Sequence, residues 1–259
     1  ETVSGSREAF VELMNQRAQE LGCTGTHFAN TNGLHDVNHY TTAYDLATIA
    51  AAAMKNPQFA AIVGTLKKTI SYEGHDEPRY LRNSNKMLTQ YEGANGIKTG
   101  YTKAAGRCLV TGALRDDMQL VSVVLNAPDM YNASAWLLDY GFDHYKMTTV
   151  ACKGDVLGSA KVSGGMALEV PVCLTEDIKV PLAEGEEGNI SLKPQIKENL
   201  QAPVAHGDVL GAVDVYLGDE KLCTKEIQAG ADVEKTTVQY YFLKVIQDWL
   251  NGIWGGAAA

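Results

Sequence analysis

Apolar residues recur at helical spacing from residue 6 to 21, through Phe10, Leu13/Met14, Arg17/Ala18 and Leu21, and Gly22 closes the run. Residues 23–40 lose that period and carry Asn30, Asn32 and Gly33, so they read as a loop. A second helix is predicted over 42–54. Thr42 is its cap, Asp45 its capping-box acid and Asn56-Pro57 its stop. Residues 67–72 alternate like a strand. Residues 107–113 and 119–126 read as a β-hairpin with Arg115, Asp116, Asp117 and Met118 at the turn. The run 120–125 is almost continuously apolar, as a central strand should be. Residues 132–145 return to helical period, with Ala135, Leu138 and Phe142 among the apolar positions.

The texture changes near Met147. From there to about Thr237, short runs rich in Val, Leu and Ile alternate with Gly, Pro and acidic turns, and Pro171, Pro181, Pro194 and Pro203 exclude long helices. This predicts a small all-β sandwich. Residues 238–254 form a last amphipathic helix, with Val238, Phe242, Val245/Ile246, Trp249 and Ile253/Trp254 on one face. That face either packs on the β domain or lies in a membrane interface. The second reading is favoured because the helix is terminal and carries two tryptophans. Residues 255–259 are a low-complexity tail.

The 259 residues are 45% hydrophobic and 20% charged, ordinary values for a globular chain of one or two domains. The formal net charge of −9 argues against a nucleic-acid partner, which needs a basic face. No apolar run approaches the ~20 residues that span a bilayer. The five cysteines, at 23, 108, 152, 173 and 223, contain no Cys-x-x-Cys pair, so a structural zinc site is not expected, and most should be small buried hydrophobes. His35-Asp36-Val37-Asn38-His39 imitates a zinc-protease motif, but it lies between turn signals and has Asp where the base should be Glu. It reads as a loop. No metal and no organic cofactor is predicted.

The most informative stretch is Gly96-Ile97-Lys98-Thr99-Gly100-Tyr101. A strand offering an ammonium, a hydroxyl and a bare backbone in succession suits a site that grips a carboxylate while a peptide pairs alongside. The nearby segment 76–86 is charged and polar. It reads as a solvated loop in which Asn83 and Asn85 fix turns near the Lys98 strand. A serine nucleophile with a lysine one helical turn later would read Ser-x-x-Lys. No serine of the chain has a lysine three positions on, and none has an asparagine two positions on. Thr65 with Lys68 has the spacing but the wrong residue type.

Several stretches together resemble the low-molecular-mass penicillin-binding proteins that act as D-alanyl-D-alanine carboxypeptidases. They are Thr26 to Asp36, Tyr40 to Ala47, Leu81 to Leu88, and Gly96 to Thr102 with Ala105-Gly106. The resemblance implies an α+β fold: an incomplete penicillin-binding/β-lactamase-like domain with an antiparallel sheet and helices over 1–146. An all-β sandwich at 147–237 and a membrane-associating amphipathic helix at 238–254 follow. It also implies a missing N-terminal part bearing Ser-x-x-Lys and Ser-x-Asn, whose serine attacks the penultimate D-Ala carbonyl of a peptidoglycan stem peptide.

In that reading Lys98 attracts the terminal carboxylate, and the Thr99 hydroxyl hydrogen-bonds it. Gly100 permits close approach, and the Tyr101 backbone N–H is one oxyanion donor. The implied partners are D-Ala-D-Ala stem peptides, β-lactams and a membrane surface, at the outer face of the cytoplasmic membrane. Two features depart from the family pattern. Tyr101 stands where some members carry histidine, and residues 128–132 lack an arginine often found there. The resemblance leaves two competitors, a β-lactamase and a non-catalytic envelope-binding scaffold. It predicts that this chain alone neither hydrolyses D-Ala-D-Ala nor is acylated by penicillin.

Overall fold

The computed structural model describes residues 2–71, 74 and 77–238, and beyond them 240, 242, 243, 245–247 and 249. The chain divides into two compact units, Glu1–Tyr145 and Lys146–Ala259.

The first unit opens with α1 (Arg7–Glu20), where the Ser6 hydroxyl accepts from the Ala9 N–H at 3.0 Å. Helix α2 (Ala43–Met54) is capped by Thr42, whose hydroxyl accepts from the Asp45 N–H at 3.0 Å. Asp45 is not the reciprocal acid of a capping box. Its buried carboxylate accepts from the Gly25 N–H at 2.8 Å and the Thr26 hydroxyl at 2.6 Å, tying the preceding loop to the helix. Asn56-Pro57 does more than stop α2. It starts α3 (Pro57–Val63): the Asn56 side chain accepts from Gln58, and proline at the first position lacks an N–H that would have gone unpaired.

Strands β1 (Lys67–Ile70) and β2 (Arg79–Arg82) form an antiparallel ribbon, with Lys67 opposite Arg82. The segment expected as solvated loop therefore contains a strand, and it leads into the short helix α4 (Met87–Gln90). A three-stranded antiparallel sheet follows, β3 (Ala94–Thr102), β4 (Gly106–Arg115) and β5 (Met118–Val124), in that spatial order. Asp116 and Asp117 make its two-residue turn, with φ of 47° and 64°, the left-handed pair that matches hairpin twist. In this described sheet the apolar strand β5 lies at the edge and β4 at the centre, a correction to the expected central strand. Helices α2 and α5 (Met130–His144) both pack on β5, which is why its apolar run is used without a further strand beside it. The core gathers Met87, Leu109, Ala113, Val124 and Leu138.

The second unit is all-β. It runs through β6 (Tyr145–Ala151), β7 (Val156–Ser163), β8 (Glu169–Leu174), β9 (Ile178–Ala183), β10 (Ile190–Ile196), β11 (Leu200–Gln201), β12 (Val209–Leu217) and β13 (Glu220–Ala229). Six strands form one sheet in the order β10-β12-β13-β8-β7-β11, and β6 pairs with β9 in a two-stranded layer. On β9, Ile178, Val180 and Leu182 are buried while Lys179 and Pro181 are exposed, so the strict period of two fixes which face meets the core. Asp214 of β12 is buried, and it accepts from Lys221 Nζ at 2.7 Å, Thr224 Oγ1 at 2.7 Å and Gln195 Nε2 at 2.8 Å. The bonds from Lys221 and then Thr224 hold its carboxyl below the usual aspartate range.

Beyond Thr237 the described residues are helical, and Val238, Phe242, Leu243, Val245 and Trp249 are exposed. The rest of the expected 238–254 helix and the 255–259 tail lie outside the described residues. All five cysteines are free thiols. Cys23 and Cys173 are buried, Cys108 and Cys223 half-buried and Cys152 exposed, so fewer are core residues than the composition suggested.

Candidate active site

The site grows from the edge of the three-stranded sheet. Strand β3 pairs with β4 on one side only, so its outer edge carries unpaired backbone groups. Two asparagines bring the neighbouring segment to that edge. The Asn83 side chain donates to the carbonyls of Val63 and Thr65 at 3.1 and 3.3 Å, and its oxygen accepts from the Asn85 N–H at 2.9 Å. Asn85 is only 1% exposed; it donates to the Gly96 carbonyl at 2.8 Å and accepts from the Met87 N–H at 3.0 Å. A buried amide must be paired, so Asn85 holds the segment rigidly against β3. Between the two asparagines, the Ser84 hydroxyl reaches the Thr99 hydroxyl at 2.9 Å. The Tyr131 hydroxyl of α5 donates to the Ser84 carbonyl at 3.3 Å, and Lys86 Nζ stands 5.6 Å from the centre of the Tyr131 ring.

These contacts enclose a shallow cavity of about 330 Å³, whose lining includes Ser84, Thr99, Gly100, Tyr101, Arg107 and Tyr131. Three of the four expected site residues therefore share one concavity. Lys98 does not line it. Successive strand side chains project to opposite faces, and the exposed Lys98 ammonium lies 2.6 Å from the Thr99 carbonyl. The cation in the cavity is Arg107, directly across the ladder from Tyr101. No carboxylate is among the lining residues, so the concavity suits an anion.

Gly100 is informative because nothing in the chain requires a glycine there. A Cβ at that position would meet only Cys108 Cβ, at 3.8 Å, an ordinary contact. Gly106 is the contrast: its φ is +69° and a side chain there would collide with Asn126. The bare backbone at 100 is left free for something approaching from outside.

Sequence reasoning missed Ser84, Arg107 and Tyr131. Arg107 was within reach, since counting the hairpin register back from the three-residue turn 103–105 pairs it with Tyr101. Tyr131 had no such signal, because only the packing of α5 carries it to the cavity. His39, from the zinc-like pentad, is instead a loop brace: its Nδ1 accepts from the Ala29 N–H at 3.1 Å.

Residues 1–129 match the family model described as D-alanyl-D-alanine carboxypeptidase, and residues 145–235 match that of the penicillin-binding protein 5 C-terminal domain. The chain belongs to the low-molecular-mass penicillin-binding proteins. Within that family it is 31% identical over 96% of its length to the D-alanyl-D-alanine carboxypeptidase DacF of Bacillus subtilis (strain 168), covering 65% of that relative. It is 30% identical over 90% of its length to DacC of Escherichia coli (strain K12), covering 58% of it. Among solved structures, penicillin-binding protein 5 of Haemophilus influenzae superposes with a TM-score of 0.61 at 28% identity, with 90% of this chain and 68% of that one covered. The Streptococcus pneumoniae peptidoglycan synthesis regulatory factor (PBP3) gives 0.74 at 25% identity, with 90% and 72% covered. The chain thus spans less than two thirds of the length of DacF and of DacC, and the Lys98–Tyr101 edge falls inside the carboxypeptidase match.

Proposed function

We propose that this chain supplies the substrate-binding half of a serine-type D-Ala-D-Ala carboxypeptidase, a hydrolase of the cell envelope that trims peptidoglycan stem peptides and binds β-lactams. One observation carries the reading: a free β3 edge at which Thr99, Gly100 and Tyr101 share a concavity with a cation and no carboxylate. The peptide pairs along β3, its terminal carboxylate meets the Thr99 hydroxyl and the positive field of Arg107 and Lys98, and Gly100 gives its backbone room. The Tyr101 N–H is one of two oxyanion donors, a role typically worth about 3 kcal/mol of barrier.

The serine and its lysine base come from residues outside these 259, because no Ser-x-x-Lys is among them. In the assembled site the serine attacks the penultimate D-Ala carbonyl, D-Ala leaves, and water releases the acyl-enzyme. The exposed apolar residues Val238, Phe242, Val245 and Trp249 support peripheral association with the outer face of the cytoplasmic membrane.

Labelled penicillin tests the reading. This chain alone stays unlabelled; combined with a segment bearing Ser-x-x-Lys and Ser-x-Asn from the same protein, it yields a labelled adduct on that segment. Label on this chain alone refutes the division of labour. Turnover of ampicillin by the combination would favour a β-lactamase, and absence of any adduct a non-catalytic scaffold.

A further inference from the structure

Ser84 is exposed, yet its backbone is held from several directions. The N–H of the preceding Asn83 donates to the carbonyl of Leu66, just before β1, at 2.9 Å. The amide of the following Asn85 donates to the Gly96 carbonyl on β3 at 2.8 Å. The Asn83 side-chain oxygen accepts from the Asn85 N–H at 2.9 Å, which closes the turn around Ser84. From α5, the Tyr131 hydroxyl donates to the Ser84 carbonyl at 3.3 Å. What this framework positions is one side chain: the Ser84 hydroxyl stands 2.9 Å from the Thr99 hydroxyl, and both residues line the cavity.

That contact decides what Thr99 can offer a ligand. A hydroxyl has one proton to donate and two lone pairs that accept. When Thr99 gives its proton to Ser84, it turns lone pairs to the cavity, which repel a carboxylate and suit an amide N–H. When Ser84 gives its proton to Thr99, the Thr99 proton is free to point at a carboxylate. The second arrangement is a chain of hydrogen bonds from Ser84 through Thr99 to the ligand, in which each bond polarises the next. Its last member ends on an ionised oxygen and belongs to the strong class. No carboxylate lines the cavity to compete for either proton.

We infer that Ser84 is a positioning residue that turns the Thr99 proton toward the substrate, and thereby favours a peptide ending in a free carboxylate over one continued by an amide bond. This rests on the proposed function for the placement of the carboxylate at Thr99. It narrows the substrate class to chain ends rather than internal bonds. Arg107 attracts the same carboxylate by charge and acts independently of the hydroxyl pair.

The test is calorimetric titration of the full chain with two peptides, one ending in D-Ala-D-Ala with its free carboxylate and the other the same peptide as its C-terminal amide. The unaltered chain is expected to bind the acid more tightly than the amide. Ser84→Ala lowers that preference about fivefold, the size of one net hydrogen bond. The charge of Arg107 keeps the remainder. Ser84→Thr, which retains a hydroxyl, preserves the full preference. In a Thr99→Val background Ser84→Ala changes nothing further, because the group through which it acts is gone. A merely structural role would bring the same loss in both backgrounds. Ser84 is exposed, so coincident thermal melts of the variants are expected. A preference unchanged in Ser84→Ala overturns the inference, and so does an equal loss with and without the Thr99 hydroxyl. If the unaltered chain binds acid and amide equally, or binds neither, no carboxylate is held at Thr99: the proposed function fails first, and the role of Ser84 falls with it.

Discussion

The two units use their residues differently. Among the described residues, the second unit buries fifteen apolar side chains in one cluster, while the first, though longer, gathers five in its main cluster. The difference follows from period. In the second unit strand after strand buries every other residue, as on β9, so two layers close over one core. In the first unit α1 shows a single buried residue, Ala18, and the ribbon β1–β2 shows none. A unit whose elements keep open faces and a free sheet edge is built to receive something. A unit with a closed core is built to stand alone.

That contrast predicts two unfolding transitions. The helical far-UV signal, which comes mainly from the first unit, should be lost at lower denaturant than the signal of the β unit. A single coincident transition by both probes would break the comparison. Truncating the closed core should be costly: Ile227→Ala, at a fully buried position, is expected to destabilise the second unit by about 3 kcal/mol in urea denaturation and leave the first transition in place.

In the first unit the sensitive position is polar. Asn85→Ala leaves the Gly96 carbonyl and the Met87 N–H without their partner, and should cost about 2 kcal/mol. Hydrogen exchange of β3 and of the 83–86 segment would rise together; protection unchanged at Gly96 would show that the asparagine is not the anchor.

Acid sharpens the comparison from the other side. The Asp214 carboxyl is lowered from an ordinary 3.8 chiefly by its bond to Lys221, and Lys221 is raised from 10.5 by the same contact. A depressed carboxylate stabilises above its unfolded pKa, and that contribution disappears as pH falls through the folded value. A raised lysine stabilises below its unfolded pKa and is lost as pH climbs past the folded one. The second unit should therefore weaken below about pH 4. In Asp214→Asn the low-pH loss should be smaller; an unchanged acid profile would remove Asp214 from the account.

The smallest expected change in stability is the one most telling for function. Gly100→Ala should shift stability by no more than about 0.5 kcal/mol, because its backbone suits any L-residue and the added methyl meets only Cys108. Peptide binding at β3 should nevertheless fall. Unimpaired binding would mean that no ligand backbone approaches there.

Much of this was legible from residues in order. Helix starts were written in Ser6 and Thr42, the hairpin in Asp116-Asp117, and the all-β unit in alternating Val, Leu and Ile broken by proline. Each is a local signal, in which a capping hydroxyl, a turn residue or a period of two acts within a few positions. The segment 76–86 was the main misreading, because β2 is exposed throughout and so carries no burial pattern; its strand exists through pairing with β1.

By itself, then, the sequence determined the elements, the division into an α+β and an all-β unit, and the chemistry offered at one strand. Tertiary structure alone decided that α5 brings Tyr131 to the cavity, that Ser84 meets Thr99, and that Asn85 is buried rather than solvated. These facts depend on which faces and edges come together across long stretches of chain, and no local pattern of residues encodes that meeting.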